Sequence, residues 1–484
     1  MTRPFLAVAL ALALGGCGGD QAKDAPIRVS VIGDSLAIAD TDTGPLKTSD
    51  RVMMGAVAQG LVRFDASGQI EPGLAERWTV TKDGRSYIFR LRDAEWPGGQ
   101  PVTAAEVVRV LRRAIAPGSR NPLAPFLVVI DEIVEMTPQV IEVRLSRPRP
   151  DLLKLFAQPE LAIYRAKQGT GPFTPKNEPR GGVLLSPADG PVLIDDDEDK
   201  PPRPGSQVRL RGERAALAIS RFKDGGAEAV IGGSFADWPV LRAAQVPDEL
   251  VRIDPALGLF GLAVVSRQGF LADAGNRAAL AMAIDRAAVT QAIRPDWQPV
   301  ETLLPAQLDS ASIPTQPAWG PLPLDARREN ARAQVRTWQR AHPGMVVVRI
   351  ALPRNPGGTL VWSAVARSLL SVGISVRRVG LEDDADLRLI DAVAPYDSGR
   401  WFLVTACQLC SEDSATLIAT ARDAPDLYNR AHRIAEADAM LTADSAYIPI
   451  AQPFRWAIVT ARLNGWQGNS RAWHPLNHLM SETE

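Results

Sequence analysis

The chain is expected to fold as an α/β protein with more than one domain, and three observations carry that expectation. Residues 346–379 read strand, helix, glycine, strand, which is the pattern of a parallel pair joined by a right-handed crossover. Residues 61–107 read strand, turn, hairpin and capped helix, so both element types also alternate near the N-terminus. The length, 484 residues, exceeds what one hydrophobic core organises. The hydrophobic content of 46% is ordinary for a globular protein. With 54 basic and 55 acidic residues the net charge is -1, which gives no drive toward nucleic acid or an anionic membrane surface.

The first residues stand apart from the fold. Arg3 supplies a positive start, residues 5–14 form a short apolar core, and Leu14-Gly15-Gly16-Cys17 puts small residues directly before a cysteine. That is a signal peptide over 1–16, followed by a polar tether over 17–26. The details resemble the lipobox of bacterial lipoproteins, which implies lipidation of the Cys17 thiol. A plain signal peptide with a chance cysteine is the alternative. Gly18 stands where an Asp retains enteric lipoproteins in the inner membrane, so the outer membrane is the expected address in a Gram-negative host.

Element by element, residues 27–32 (IRVSVI) read as the opening strand. Residues 78–81 and 86–92 flank Lys82-Asp83-Gly84-Arg85, a hairpin signal for which a type I′ turn is expected. On its second strand Tyr87, Phe89 and Leu91 share one face. Thr103 and Glu106 form a capping box before a helix whose apolar stripe is Val107, Val110, Leu111, Ala114 and Ile115. Pro117-Gly118 stops that helix. Residues 195–204 (DDDEDKPPRP) lack the alternating ligands and central glycine of a calcium loop and read as an exposed loop. Residues 426–441 read as an amphipathic helix with Leu427, Ala431, Ile434 and Leu441 on its apolar side.

Four blocks carry a family likeness: residues 61–107, GTGPF at 169–173, NRAALAMAIDRAAV at 276–289 and SLLSVGISVRRV at 368–379. Taken in order, they resemble the extracytoplasmic solute-binding proteins of the peptide/nickel type (family 5), which feed ABC importers. The resemblance implies a two-lobed, class II periplasmic-binding-protein-like α/β fold with an extra N-terminal subdomain and a ligand cleft between lobes. By that analogy lobe I holds residues 27–250 plus 451–484, including the subdomain at about 50–165, and lobe II holds 251–450. It also implies a monomer that binds a solute, performs no catalysis, needs no cofactor, and hands its ligand to a permease driven by separate ATPase subunits. No Walker motif is present, in keeping with the motor being elsewhere. The expected location is the periplasm or extracytoplasmic face, anchored by lipid.

The residues themselves offer competing chemistry. Ile32-Gly33-Asp34-Ser35-Leu36 matches the nucleophile motif of GDSL esterases, which makes an exported esterase using Ser35 the rival reading. That family keeps an Asp-x-x-His near its C-terminus, and none of the four histidines here has Asp three residues before it. A strand end with small turn residues accounts for the motif. A sensor or chaperone on the same binding fold is a further alternative. Cys407 and Cys410 form a CxxC that reads first as a structural disulfide, then as a redox centre with 401–406 as its strand, then as a metal site lacking two ligands. No metal is expected.

In many peptide-binding relatives a Trp-x-x-Asp-Tyr motif lies in this segment and its Asp pairs with the ligand's α-amino group. Here the region reads RWFLVTACQLCSEDSATLI, the Asp-Tyr is missing, and Cys410 falls near the acid's place. Recognition of a free peptide N-terminus is therefore in doubt, and chelated metal, an opine, a modified peptide and a cell-wall fragment stay open. Trp401 beside Arg400 is the expected ligand wall, with Asp397 and Asp413 as nearby acids.

Overall fold

The computed structural model describes residues 25–179, 181–188 and 207–480. The expected signal peptide with Cys17 and the acidic stretch 195–204 lie outside the described residues. Two sheets organise the chain. The first has seven strands in the order Phe173–Glu178, Gly182–Pro187, Val208–Glu213, Ile27–Ile32, Ala229–Ser234, Arg455–Val459 and Val251–Asp254. Its central strand, Ile27–Ile32, pairs in parallel with both neighbours. The second has five strands in the order Ile374–Val379, Val346–Ala351, Leu387–Val393, Gly258–Val264 and Tyr447–Ala451. Every residue of Gly258–Val264 is buried, as a strand covered on both faces requires.

The sequence places the first crossing between lobes at residue 250, and the structure moves it. Val251–Asp254 pairs antiparallel with Arg455–Val459 in the first sheet, so the chain crosses at residues 255–257 and returns at 452–454. The subdomain start moves as well. Helix Thr48–Val57 packs its Val52, Met53 and Val57 into the core of the seven-stranded sheet, and so belongs to lobe I. A bridge between Gln59 and Ile163 marks the neck where the subdomain leaves and rejoins.

Between those points stands a four-stranded antiparallel sheet in the order Ala75–Val80, Ser86–Leu91, Val140–Leu145 and Ile130–Thr137. Tyr87, Phe89 and Leu91 point into the subdomain core while Ile88 and Arg90 face out. Both halves of the capping box form at Thr103 and Glu106, and helix Ala104–Ile115 buries Val107, Leu111 and Ala114. The hairpin turn differs from the type I′ expectation. Gly84 alone has positive φ, at 67°, and its amide bonds to the Thr81 carbonyl at 2.8 Å. Lys82 and Asp83 therefore sit at the centre of the turn and Gly84 supplies the left-handed residue that rejoins the strand.

The crossover Val346–Ala351, Pro356–Leu370, Ile374–Val379 is present with its strands parallel, and Gly373 turns the chain at φ 90°. Residues 401–406 are not the strand that a redox centre would need. They belong to helix Gly399–Ala406. Helix Leu427–Asp444 buries Ile434 and Leu441 as expected, but Leu427, at its first position, is 47% exposed. No helix among the described residues is long and apolar enough to cross a membrane.

The GTGPF block explains itself by close approach. The Gly171 amide bonds to the Val57 carbonyl at 3.0 Å, and a Cβ on Gly171 would stand 2.5 Å from the Val57 carbonyl carbon. The loop clasps the end of helix Thr48–Val57 with backbone against backbone, where nothing can move aside. Gly171→Ala is expected to destabilise the protein by about 1–3 kcal/mol, the range for overpacking a filled site. Urea unfolding checks this, and an unchanged midpoint would show that the clasp yields freely.

Candidate functional site

Among the described residues the chain crosses between the lobes twice, at 255–257 and 452–454, and the two crossings are bound to each other. The Gly258 amide bonds to the Gln452 side chain at 3.0 Å, and Trp297 Nε1 bonds to the Gln452 carbonyl at 3.0 Å. Arg455 of the first sheet reaches Asp391 of the second at 2.8 Å. Burial pushes the Asp391 carboxyl up and Arg455 works against that rise. Aromatic packing surrounds the joint, with Phe235 on Phe260 at 4.9 Å and Trp238 on Phe454 at 5.0 Å between ring centres.

The lobes also meet along the segment at 395–401, which begins beside the joint, where the Ala394 amide bonds to the Leu257 carbonyl at 2.8 Å. Asp397 is the centre of the contact. It accepts from Lys154 of the subdomain and from Arg471 of the C-terminal tail. Burial works to raise its pKa, but the two cations outweigh it and hold the carboxyl below the ordinary range. The Gln158 amide donates to the Pro395 carbonyl at 2.7 Å, and Arg147 meets Asp423 at 3.1 Å. One apolar cluster runs through the same place, from Phe89 and Phe156 of the subdomain to Tyr396, Phe402 and Ile434 of lobe II.

Behind Asp397 lies a second acid. Asp309 accepts from the Ser398 hydroxyl at 3.0 Å, the Gly399 amide at 2.6 Å and Arg430 at 3.1 Å. It thus seats the N-terminus of helix Gly399–Ala406, where a carboxylate is favoured by the exposed amides. Arg400 follows in the first turn of that helix. It is 5% exposed, and its guanidinium lies 5.7 Å from the Phe126 ring centre. Phe126 also meets Tyr396 edge-on at 5.6 Å. Arg149 reaches the same group from the subdomain, with its carbonyl fixed by the Tyr87 hydroxyl at 2.6 Å.

Of the expected site residues, the structure brings Asp397 and Arg400 together at this interface. Trp401 stands beside them in sequence, but it is 5% exposed and packs edge-on to Phe402 inside the shared core rather than forming an open wall. The helix turns it away from Arg400 by about 100°, as 3.6 residues per turn requires. Asp413 is exposed in the first turn of helix Glu412–Asp423, where it complements the helix N-terminus. Cys407 and Cys410 are joined by a disulfide that closes the turn between the two helices, with their Cα atoms 5.2 Å apart.

Ser35 is exposed, and the described histidines are engaged elsewhere. His474 contacts Asp254 at 3.1 Å, His478 contacts Glu71 at 2.9 Å, His342 stacks on Trp338 and His432 lies on Tyr428. No group of three or more metal-ligating side chains occurs among the described residues.

Sequence reading missed Arg149, Lys154, Asp309, Tyr396, Arg430 and Arg471. One signal was available. Arg147-Pro148-Arg149-Pro150 puts an arginine between two prolines directly before a helix, where its backbone is held extended.

Residues 69–391 match the profile of the bacterial extracellular solute-binding proteins, family 5 (middle region). The chain is 24% identical to the periplasmic oligopeptide-binding protein OppA of Escherichia coli K12 over 87% of its own length and 85% of the relative's. Its structure is similar to that of Haemophilus influenzae OppA in complex with RPPGFSPFR, with a TM-score of 0.78, 18% identity and coverage of 94% of this chain and 99% of the other. It is also similar to the murein tripeptide-binding protein MppA of Escherichia coli, with a TM-score of 0.79, 18% identity and coverage of 94% and 98%. Against the unliganded open form of MppA the TM-score is 0.64, at 17% identity and coverage of 93% and 97%.

The Asp397 contact carries a pH signature. Its folded pKa lies below the unfolded value near 3.9, so the bond contributes fully above about pH 4 and is lost as pH falls through the folded value. Solution scattering of the wild type should therefore report one compact size from neutral pH down to about pH 4. Asp397→Asn should be larger at neutral pH, because Lys154 and Arg471 lose their shared partner. Equal radii for both proteins would show that this contact does not hold the lobes together.

Proposed function

Because the chain belongs to the bacterial extracellular solute-binding proteins of family 5, we propose that it is the binding component of an ABC importer, taking up a peptide-like or other small organic solute between its lobes and delivering it to a permease. The observation that carries this reading is the pair of joined crossings between two lobes that also meet through ion pairs and an apolar cluster. Such a joint lets the lobes swing, and contacts made across a cleft between them exist only when they are closed. A ligand shifts that equilibrium by what it adds to the closed form alone. The lower similarity to an open, unliganded relative than to other members agrees with a closed arrangement. Power for transport comes from separate ATPase subunits, and the protein runs no reaction of its own. It acts as a monomer at the extracytoplasmic face, tethered through acyl chains on Cys17.

Native mass spectrometry of protein purified without refolding tests the reading. A small molecule should be carried through purification, and stripping it should expand the protein in solution scattering and lower its melting temperature by mass-action linkage. Protein that carries nothing, and that neither compacts nor gains stability with a mixed peptide pool, would refute a binding role. The anchor has its own test. Cys17→Ser should move the protein from the membrane to the soluble fraction on cell fractionation, whereas a wild type that is already soluble would exclude lipidation.

A further inference from the structure

Among the described residues, Arg149, Arg286, Arg400 and Arg471 are buried and each leaves one guanidinium nitrogen without a hydrogen-bond partner. In three of them the atom is Nε, at the root of the fork, but in Arg286 it is the terminal Nη2. The rest of that guanidinium is fixed. Its Nε donates to the Pro449 carbonyl at 2.8 Å and its Nη1 to the Ala281 carbonyl at 3.0 Å. Arg286 lines a cavity of about 20 Å³, together with Glu301, Trp319, Thr442, Ser445 and Tyr447. Tyr447 brings a second unmet group to the same space. Arg286 and Tyr447 are 4% and 5% exposed, and the Tyr447 hydroxyl also has no hydrogen-bond partner. Two buried donors, one from helix Arg286–Ile293 and one from strand Tyr447–Ala451, thus line one small cavity.

An occupant of this cavity must accept hydrogen bonds and offset a charge, since unmet buried donors and buried cations are both costly. Burial lowers the Arg286 pKa to about 10, which leaves it protonated at neutral pH, and burial keeps the Tyr447 phenol in its neutral, donating form. The charged groups within electrostatic reach of Arg286 are Glu301 and Arg327. Both Glu301 oxygens accept from Arg327, and Arg286 and Arg327 lie 5.1 and 4.8 Å from the same Trp319 ring centre. Two guanidiniums against one carboxylate leave one positive charge over. Asp391, which reaches Tyr447 electrostatically, is itself bound to Arg455. A water molecule would accept from both donors but leave that charge standing. About 10–15 Å³ already holds a water, so 20 Å³ admits one small sphere and excludes a carboxylate, a phosphate or a sulfate.

We propose that lobe II binds a monatomic anion, chloride in the first instance, between Arg286 Nη2 and the Tyr447 hydroxyl. The site lies within lobe II and is independent of the solute that the protein takes up. Strand Tyr447–Ala451 is the outer strand of the five-stranded sheet and leads directly into the crossing at 452–454. Along its outer edge runs the segment that leads to Glu301, held there by the Val300 amide on the Ile450 carbonyl at 2.9 Å. An anion in the cavity joins helix Arg286–Ile293 to this strand and so steadies the last strand before the chain leaves the lobe. Because the unfolded chain has no such site, the folded protein gains stability with chloride concentration by mass action.

Crystals grown in sodium bromide test the site directly, because bromide scatters anomalously. An anomalous peak is expected within hydrogen-bonding distance of Arg286 Nη2 and the Tyr447 hydroxyl. Thermal melting at fixed ionic strength, with sodium gluconate exchanged stepwise for sodium chloride, tests occupancy in solution. The wild-type melting temperature should rise with chloride and level off, and bromide should replace chloride in this. Tyr447→Phe keeps the ring and removes the donor, so it should need about 10–100-fold more chloride for the same gain, the worth of one hydrogen bond to a charged group. A water at the site with no anomalous signal would overturn the proposal. So would a bromide peak with no effect of chloride on melting, which would mean an adventitious ion only, and so would a Tyr447→Phe variant with the wild-type chloride dependence. Should that variant fail to fold, the wild-type crystals and melts still decide. None of these outcomes bears on solute binding, which the native mass spectrum tests separately.

Discussion

Everything in this protein hangs on the two crossings between lobes that the described residues make, at 255–257 and 452–454, which are hydrogen-bonded to each other. A single strand would leave the lobes free to rotate in any direction. Two adjacent crossings tied through Gln452 restrict how one lobe can turn against the other. Trp297, Phe454 and Trp238 pack against the joint, and Arg455 bonds to Asp391 across it.

The contact surface between the lobes is of mixed character. The apolar part is an extension of the subdomain core, in which Phe126 and Phe156 continue into Tyr396 and Phe402. The ionic part is the contact of Asp397 with Lys154 and Arg471. Apolar area gives closure its driving force, while the charged contact fixes its register, because a misaligned carboxylate between two cations loses both. The subdomain is thus more than an appendage of lobe I. It supplies Arg149, Lys154 and Gln158, three of the groups that face lobe II.

The preference for arginine over lysine has a physical sense in this setting. Arg277 and Arg286 each serve several carbonyls that the ends of helices leave unsatisfied, with Arg286 also lying 5.1 Å from the Trp319 ring centre. A planar fork can hold such acceptors in place, which a single ammonium cannot. Both residues fall in the NRAALAMAIDRAAV block, so that block ties elements of lobe II together.

The local features were legible in the sequence because their causes are local. The capping box at Thr103 and Glu106, the strand Ile27–Ile32, the crossover from Val346 to Val379 and the buried face of Tyr87, Phe89 and Leu91 follow from neighbours a few residues apart. The contact between the lobes was only half legible. Arg400 and Asp397 could be named from their segment, yet Trp401 beside them turned into the core and Asp413 stayed on the surface. What the sequence could not hold was the identity of partners. Asp397 meets Lys154 across 243 residues and Arg471 across 74, and Arg149 comes to Arg400 from a different lobe. Composition and spacing determine which helices and strands form, because those depend on backbone geometry and local burial. Which charges are answered and which are left open depends on where the lobes meet, and only the tertiary structure decides that.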